Sequence, residues 1–566
     1  MRMRRKRPKP NSYILASLVF LIAYLDVACT KSGSNPASTE SGKHEEQVTA
    51  LPSAASIECY DFFEMTLRVD KPAARNPFRD VKVSGHFGLI AKGTMLAVDG
   101  FCDDPDGTVF RIRFMPAQAG DYAYSVTYRR GGFEWVYAGT FKAAKTGRAG
   151  MLRADPEHPW HFIWEGSGDH FFLNGTTAFL LMGWSDEQVI RDSIDRLRGL
   201  EANRIRVLLD GRTDDFLTEP IRPGTGFRGY VDPWPAKRPR DVQNPHFNYG
   251  RFNCVYWQKF ERMLRYARDR GVNVSVIFGW NGAEVHPPAG SEDEHRYFRY
   301  AVARLAAFSN VTWDLGDDLD RFRSEAWTHE TGTMLYGLDP YHHLATSHPM
   351  DNRYQDRTSQ WFTMTSFQRW KRPLHGWMLD QREQQLRAKR IIPQVNEEYG
   401  YEDHYPSFAP YKPPAASAEA NRRAAWEIAM AGCYQTTGET AKRGTGVFPN
   451  TGGGWVNGRG DETMAMLKGY ALMVNFFKSF EWWRAEPHDE LVNNGAFCLT
   501  EPGRLYVAYL PYGGDINLKL DSGRYQAKLF NPRNGEYSAI SIAEGPLWRS
   551  PAVPKGEDWV YLLTRI

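Results

Sequence analysis

Cysteine is scarce in this chain, and the few cysteines are not spaced as metal ligands. There are six among 566 residues, and the five that follow Cys29 show no C-x-x-C spacing. This pattern excludes a zinc site of the usual spacing and a dense disulfide framework. One bridge, Cys59–Cys102, stays open as an alternative, and most of the thiols are expected to be small buried side chains. The five are Cys59, Cys102, Cys254, Cys433 and Cys498.

An excess of charge of one sign is also missing. The chain has 70 Lys and Arg against 67 Asp and Glu, a formal net charge of +3, and six of its basic residues lie in the first ten positions. Without that leader the chain is weakly acidic, which argues against nucleic-acid binding, since that requires a basic face. Its 42% hydrophobic and 24% charged residues are ordinary for a globular protein and exclude wholesale disorder.

Several catalytic motifs are absent. The sequence has no G-x-S-x-G elbow, no P-loop and no H-E-x-x-H, which removes the usual arguments for a serine hydrolase, an NTPase or a metalloprotease. Gly224–Gly229 fits G-x-G-x-x-G, but Pro220 and Pro223 precede it and no helix follows, so we interpret it as a loop. The 15 histidines are dispersed, and we predict neither a metal nor a cofactor.

The apolar run at the N-terminus is short. Tyr13–Leu25 has about the length of a signal-peptide h-region and is too short for a comfortable membrane span. With the basic residues before it, it predicts a signal peptide over 1–28 and an exported protein. Cys29 after Ala28 resembles a bacterial lipobox, with Asp26 as a departure, so a lipidated Cys29 in the cell envelope and ordinary secretion both stay open. Residues 29–54 are rich in small and polar side chains and predict a flexible tether.

Aromatic residues, by contrast, are abundant. They make up 14% of the chain and include 18 tryptophans. Part of this supply belongs to the core, but such a number of indole rings also suits a surface that stacks on flat ligands.

The two ends of the folded chain show the pattern of β-sandwiches. Short runs that alternate with period two, such as Phe110–Phe114 and Tyr122–Val126, are separated by turn signals, and they predict an Ig-like sandwich over 55–147. Runs at Arg504–Leu510, Ile516–Leu520, Tyr525–Phe530 and Trp559–Leu563 predict a second, smaller sandwich over 487–566.

The middle region, 148–486, alternates short apolar runs with amphipathic helical stretches. Eight strand candidates separated by helices predict a (β/α)8 barrel, with a doubly wound open sheet as the main competitor. The candidates are Phe171–Leu173 with Ala178–Met182, then Arg204–Leu209, Val272–Phe278, Val311–Leu315, Leu344–Ser347, Phe362–Ser366, Ile391–Val395 and Gly432–Thr436.

Chemistry in a barrel is expected just after each strand, because those positions converge on one face. Asp317-Asp318 follow the fourth predicted strand and Glu397-Glu398 the seventh. Taken alone, the aspartate pair also suits a helix N-cap. Together with the surrounding tryptophans, the four acids predict a glycosidase, in which one carboxyl group donates a proton and another attacks the anomeric carbon. The residues expected to bind substrate are Trp184, Arg206, Trp280, His348, Trp370, Tyr399 and Trp455.

The motifs resemble a known group of secreted bacterial proteins. The first module, with Asn76-Pro77-Phe78 and Gly100–Asp103, resembles DUF5060. The barrel, with Asn310–Gly316, Phe367–Trp370 and Glu397–Glu402, resembles a DUF4038-like glycoside hydrolase barrel. The last module, with Tyr506–Leu510 and Asn531–Gly535, resembles a collagen-binding-like domain.

This resemblance implies a retaining glycosidase with Glu398 as the nucleophile and Asp318 in the position of the acid/base. Relatives commonly have Asn-Glu where this chain has Asp317-Asp318, so the carboxyl group of Asp318 reaches about 1.5 Å less far. Three explanations stay open: the pocket is built around Asp318, another acid such as Glu325 takes its place, or the protein binds sugars without cleaving them. We therefore hold two hypotheses: an enzyme that cleaves a plant or algal polysaccharide, or a surface glycan-binding protein on a degenerate barrel. The partner is a glycan in both, with no nucleic acid, and with membrane contact only through a lipid on Cys29.

Overall fold

A computed structural model describes residues 46–212, 226–280, 285–352, 355, 357–402, 417–439, 453–460 and 465–566. The predicted leader with Cys29, and the tether up to residue 45, lie outside the described residues. Within the described parts, none of the helices combines the length and the apolar character that crossing a membrane requires.

The N-terminal module consists of two β-sheets that share one aromatic core. The core includes Phe63, Phe87, Phe114 and Phe141, whose rings pack against one another. One sheet has the order Gln47–Pro52, Phe63–Asp70, Val109–Phe114, Phe101–Cys102; the other has the order Ser56–Glu58, Phe133–Ala144, Gly120–Arg130, Val81–Leu89, Leu96–Asp99, with short helices at Pro77–Asp80 and Ile90–Lys92.

The folded module begins inside the segment predicted as a tether. Gln47–Pro52 pairs antiparallel with Phe63–Asp70, so the tether prediction is wrong for these residues. Two interactions explain this: Val48 and Ala50 pack on the sandwich core, and the buried carboxylate of Glu46 accepts bonds from the hydroxyl of Tyr128 at 2.9 Å and from Nε of Arg130 at 2.6 Å.

The middle region contains eight parallel strands in one sheet, as predicted. In chain order they are β1 (Asn174–Thr177), β2 (Arg204–Leu208), β3 (Asn273–Ile277), β4 (Val311–Asp317), β5 (Ala345–His348), β6 (Phe367–Gln368), β7 (Val395–Glu398) and β8 (Tyr434–Thr437). The helices around them are Glu187–Gly199, Cys254–Arg268, Glu292–Leu305, Glu325–Leu338, His375–Arg387, Ala418–Met430, Gly453–Asn457 and Met466–Phe477, with 3-10 turns at Leu181–Gly183, Leu319–Arg321 and Trp482–Arg484. Outside the sheet, Leu152–Ala154, Phe162–Trp164 and His170–Phe171 form a small antiparallel sheet, and Gly211–Arg212 pairs with Tyr230–Val231.

The sheet forms a nearly closed barrel. Its strand order is β5-β4-β3-β2-β1-β8-β7-β6, which leaves a seam between β5 and β6. Threonines bridge this seam: the amide of Thr363 donates to the carbonyl of Ala345, and its hydroxyl accepts from the amide of Ala345 at 2.7 Å. On the other side, the hydroxyl of Thr365 accepts from the amide of Val395 at 2.9 Å. Side-chain hydroxyls thus replace part of the backbone ladder over Phe362–Ser366, and the regular strand begins only at Phe367.

The first barrel strand also differs from its predicted place. The apolar runs Phe171–Leu173 and Ala178–Met182 flank it, whereas the strand itself is the buried polar sequence Asn174–Thr177. The amide side chain of Asn174 donates to the carbonyl of Glu201 at 2.9 Å. Gly175 lies so close to β8 that a Cβ atom there would come within 2.2 Å of the Thr436 hydroxyl. The strand therefore depends on polar pairing and close approach, which an apolar pattern does not reveal.

The C-terminal module is a six-stranded antiparallel sheet with a separate two-stranded one. The first has the order Glu486–Pro487, Phe497–Glu501, Leu505–Leu510, Trp559–Arg565, Arg524–Phe530, Tyr537–Glu544, and the second pairs Asn517–Lys519 with Leu547–Arg549; a 3-10 turn lies at Asp489–Leu491. Residues of both sheets, such as Tyr506 and Trp548, share one core. The observed architecture confirms the predicted three-part fold class.

The described cysteines are all free and buried. The bridge between Cys59 and Cys102, held open from the sequence, is therefore not formed. Burial raises the pKa of the Cys102 thiol, whose Sγ donates to the carbonyl of Asp104.

A buried charge network attaches the N-terminal module to the barrel. Arg113, on strand Val109–Phe114, donates to Glu64 at 2.7 Å within the sandwich. It also donates to Glu261 at 3.0 Å and to the carbonyl of Arg304 at 2.8 Å, both on barrel helices. Arg304 in turn lies 2.7 Å from Asp103 of the sandwich. Burial alone would raise the pKa of Glu261, but Arg113 and Arg304 lower it to about 2. The stabilisation from this group is therefore complete above its unfolded pKa and is lost as the pH falls toward 2.

We expect Arg113→Met to destabilise the protein by about 1.5–3 kcal/mol, because Glu64 and Glu261 each lose one charged hydrogen-bond donor and keep only Arg111 and Arg304, respectively. The measurement is the midpoint of urea unfolding at pH 7. Arg129→Met is the matched control, since the exposed Arg129–Glu134 pair on the same module contributes about 0–1 kcal/mol. Equal midpoints for the two variants would show that the network does not attach the module.

Candidate active site

Charged side chains fill the inside of the barrel. Arg204 and Arg206 on β2 are fully buried, as is Glu397 on β7. Arg204 donates to Glu397 Oε2 at 2.7 Å. Arg206 Nη2 donates to Asp317 Oδ1 at 2.8 Å and lies 3.5 Å from Asp314 Oδ2, while its Nε is 3.8 Å from Glu397. One guanidinium group thus connects carboxyl groups of β4 and β7 across the barrel.

Because of these contacts, the pKa values of Asp314 and Glu397 are shifted in opposite directions. Burial raises the pKa of Asp314 to about 6, although Arg206 opposes the shift. Burial also opposes ionisation of Glu397, but Arg204 and Arg206 together hold its pKa below the ordinary value. Glu397 is therefore the fixed counter-ion of the two arginines and is not available for proton transfer.

Glu398, the predicted nucleophile, lies at the end of β7 with several hydrogen-bond donors around it. Its Oε2 accepts from the side-chain amide of Gln368 at 2.6 Å and lies 3.2 Å from Nε2 of His348. Its Oε1 accepts from the hydroxyl of Tyr401. Burial raises the pKa of Glu398, whereas the hydroxyl of Tyr401 and the charge of Arg206 favour its ionised form. Such donors orient a carboxylate and stabilise its charge.

His348, on β5, bridges the two acidic sides of the site. Its Nδ1 is 2.8 Å from the hydroxyl of Ser366, and its Nε2 faces both Glu398 and, at 3.6 Å, Asp317 Oδ1. Burial and the charge of Arg206 lower the pKa of His348 to about 3. A neutral ring with its proton on Nε2 satisfies these contacts, with Ser366 donating to Nδ1.

Asp317 is the acid that faces Glu398 most directly. Carboxylate oxygens of Asp317 and Glu398 and a ring nitrogen of His348 all lie within 4.8 Å of one another. Burial raises the pKa of Asp317 well above its ordinary value, against the charge of Arg206 and with added repulsion from Glu398. Because two close carboxylates repel, the pair favours a state that holds one proton.

Asp318, the predicted acid/base, lies one residue further toward the rim. Its backbone has a φ of +49°, in the left-handed region that non-glycine residues rarely adopt. Its side chain retains 14% exposure and lies 3.4 Å from Nε of Arg321. A strained backbone of this kind is often found at functional sites.

Aromatic rings line the same end of the barrel. Trp280 stacks on Phe179 at 5.6 Å, and the ring of Phe179 meets Trp455 edge-on at 5.9 Å. Trp455 stacks on Tyr401 at 4.8 Å, and Trp370 meets Tyr401 edge-on at 5.6 Å. Three predicted tryptophans, two of them half-buried, therefore form a continuous wall beside the carboxyl groups.

Two predicted substrate-binding residues do not join this cluster. The indole nitrogen of Trp184 donates to the carbonyl of Asn457 at 2.8 Å, and its ring packs on Phe227. The hydroxyl of Tyr399 bonds to Gln435 at 2.7 Å and to Tyr470 of helix Met466–Phe477. Both side chains are buried and make their hydrogen bonds to other buried parts of the protein, so the geometry gives them structural roles.

The sequence reasoning missed several members of the cluster. Gln368 and Tyr401 stand in the motifs Phe367–Trp370 and Glu397–Glu402, but nothing in the sequence marks them as partners of Glu398. Asp317 was recognised only as a neighbour of Asp318. Phe179 lies in an apolar run that was assigned to a strand.

The three atoms of Asp317, His348 and Glu398 are also close enough to ligate a metal ion. However, the guanidinium of Arg206 is already 2.8 Å from Asp317 Oδ1, and its positive charge disfavours a second cation there. The donor set fits hydroxyl groups better, since it combines acceptors with a neutral imidazole.

We expect Arg206→Met to destabilise the protein more at pH 8 than at pH 5. Without this cation, Asp314 and Asp317 have folded-state pKa values raised further above their unfolded values, so stability falls as the pH rises through that range. Thermal unfolding at the two pH values measures the difference. Arg387→Met is the control, because it removes an exposed arginine that pairs only with the exposed Glu383 among the described residues; an equal pH dependence in the two variants would contradict this assignment.

Comparisons with known proteins agree with this geometry. Residues 161–439 match the family model described as "Apiosidase-like, catalytic domain", and residues 56–129 match DUF5060, a domain of unknown function. The resemblance of the first module to DUF5060 is thereby confirmed. A search of curated proteins finds no match.

Solved structures show the same fold. A glycoside hydrolase of Bacteroides vulgatus ATCC 8482 superposes with a TM-score of 0.76 at 21% identity, covering 91% of this chain and 100% of the other. A glycoside hydrolase family 5 protein from the same organism gives a TM-score of 0.56 at 16% identity, covering 74% of this chain and 93% of the other. The barrel is therefore similar to the Apiosidase-like catalytic domain, the first module is similar to DUF5060, and the fold is the one that these bacterial glycoside hydrolase structures have.

Proposed function

We propose that the protein is a retaining glycoside hydrolase that cleaves a plant or algal polysaccharide or oligosaccharide. The observation that carries the proposal is the oriented carboxylate of Glu398 at the end of β7, which accepts from Gln368 and Tyr401 and faces the end of β4, where Asp317 has an oxygen within 4.8 Å of it and Asp318 follows directly. Retaining glycosidases have their two catalytic carboxyl groups about 5–5.5 Å apart, whereas inverting enzymes need a wider gap for water. The retaining class is part of the proposal because the Glu397–Glu402 motif resembles that of retaining enzymes. The aromatic wall beside the pair supports a sugar as the ligand.

Glu398 acts as the nucleophile. Its carboxylate attacks the anomeric carbon, a bond forms from Glu398 to that carbon, and the glycosidic C–O bond breaks. Gln368 and Tyr401 hold the two carboxylate oxygens in place. In the second step water attacks the same carbon and releases Glu398, so the sugar keeps its anomeric configuration.

Asp318 acts as the acid/base. It gives its proton to the departing oxygen and later takes a proton from the attacking water. Asp317 is held by Arg206 inside the barrel and has only 3% exposure, whereas the side chain of Asp318 keeps 14% exposure, so that a leaving group could reach it from the cleft. We assign Asp317, with His348, to a sugar hydroxyl next to the reacting carbon. Hydrogen bonds of this kind strengthen in the transition state.

A glycan-binding protein without catalysis is the second candidate. The shorter reach of Asp318 favours it, since a displacement of about 1 Å can cost a hundredfold in rate. For both candidates, the predicted leader supports export to the cell envelope or the medium, where the protein would encounter polysaccharides.

The deciding experiment incubates the protein with a panel of plant and algal polysaccharides and measures hydrolysis by the release of reducing sugar. We expect turnover by the wild type, loss of turnover in Glu398→Gln, and an unchanged rate in Glu325→Gln, an exposed acid of helix Glu325–Leu338. NMR of the first-formed anomer should show retention. Binding without hydrolysis by the wild type would favour the second candidate, and full activity in Glu398→Gln would exclude Glu398 as the nucleophile.

Asp318→Ala and Asp317→Ala separate the roles of the two aspartates. We expect Asp318→Ala to lose about 10²–10⁴-fold on natural glycans, to lose less on aryl glycosides with good leaving groups, and to be accelerated by azide, which attacks the glycosyl-enzyme. Asp317→Ala should slow both substrate types without azide rescue. The reverse pattern would assign the acid/base role to Asp317.

We expect Tyr401→Phe to move the acidic limb of kcat/KM to higher pH. The hydroxyl of Tyr401 lowers the pKa of Glu398, so its removal raises that pKa and the nucleophile ionises only at higher pH. The pH profile on a hydrolysed glycan measures the shift. Tyr399→Phe is the matched control, because its hydroxyl does not contact Glu398; a shift of the same size in both variants would contradict the assignment.

A further inference from the structure

We propose that Asp210 and His286 form a positioning pair that holds Trp280 as a sugar-stacking platform of the cleft. The identity of the ligand as a sugar rests on the proposed function, whereas the contacts between Asp210, His286 and Trp280 are a property of the free protein. Asp210 follows β2, and Trp280 follows β3. Neither Asp210 nor His286 belongs to the carboxyl cluster around Glu398.

The carboxyl group of Asp210 has one hydrogen-bond partner in the described part of the chain. It is fully buried, and its Oδ2 lies 2.5 Å from Nδ1 of His286. Its other oxygen, Oδ1, is buried with no hydrogen-bond partner among the described residues. Burying a carboxyl group with only one hydrogen bond costs free energy. This cost indicates that the group is kept for what it does to His286.

His286 transmits this contact to Trp280. Its Nε2 lies 2.5 Å from the carbonyl oxygen of Trp280, and since a carbonyl only accepts, Nε2 carries a proton. One further proton is then shared between Nδ1 and Asp210. The ring lies on Phe322 at 4.9 Å, and it passes so close to Gly279 that a Cβ atom there would approach its Cε1 to 3.0 Å.

The carbonyl group that accepts from His286 belongs to the backbone of Trp280, and this segment is hydrogen-bonded to β4. Trp280 forms a β-bridge with Asp317, whose amide donates to the carbonyl of Gly279 at 2.9 Å. The indole of Trp280 stacks on Phe179, which also lies under the guanidinium of Arg206 at 5.4 Å. The pair therefore fixes the backbone of one aromatic wall residue at the level of the reacting carboxyl groups.

The first test needs no substrate. In the full-length protein labelled with 5-fluorotryptophan, the ¹⁹F signal of Trp280 is identified by its loss in Trp280→Phe. We expect one narrow line in the wild type and in Asp210→Asn, because an asparagine amide can donate to Nδ1 while Nε2 keeps its bond. In Asp210→Ala and His286→Phe the line should shift or broaden. An unchanged line in both of these variants, with folding verified by circular dichroism, would overturn the proposal.

The second test uses the glycan on which the wild type is active. We expect Asp210→Ala and Trp280→Ala each to raise KM about tenfold with a smaller change in kcat, the scale of one lost stacking contact. The double variant should lose no more than either single one, because both changes remove the same platform. If the increase in KM of the double variant equals the product of the two single increases, the pair acts independently of Trp280. If no glycan is cleaved, the proposed function fails while the ¹⁹F result still decides the pairing.

Discussion

The buried guanidinium of Arg206 is the interaction on which the site depends. Three acids from two strands point toward it. Burying a guanidinium group away from water is tolerable only when carboxylates are paired with its charge. The paired charges fix the spacing between β4 and β7, and that spacing sets the distance between Asp317 and Glu398. The same cation prevents the acids of this region from all becoming protonated. Barrel geometry and site electrostatics therefore have one common cause.

The site shows how neighbouring residues of one type acquire different roles. Glu397 and Glu398 are adjacent in sequence, yet one faces two arginines and the other faces an amide, a hydroxyl and an imidazole. Asp317 and Asp318 differ similarly, because one points inward to Arg206 and the other stays at the rim with a left-handed backbone. In both pairs the surroundings, rather than the residue type, distinguish the two neighbours.

Apolar periodicity predicts the number and the chain order of the barrel strands and the two flanking β modules, and the positions after the strands point to Glu398 and the tryptophans of the wall. The failures have physical reasons. The first strand is polar and buried, and the sixth is preceded by threonine hydroxyls that replace backbone pairing, so neither shows the expected pattern. The pairs Arg204–Glu397 and Asp210–His286 join residues 193 and 76 positions apart. Each member by itself resembles an ordinary surface charge, and no single sequence reveals which of them meet.

The threonine seam between β5 and β6 has a consequence for how the barrel moves. Neighbouring strands in the sheet order are joined by backbone ladders, whereas β5 and β6 are not paired with each other and threonine hydroxyls supplement the few backbone hydrogen bonds between them. Local opening begins where backbone pairing is sparse, and this place lies directly before Gln368, the donor to Glu398. An opening of this seam would therefore release the donor that orients Glu398, whereas the charge pairs of Arg206 at the centre of the barrel do not involve the seam.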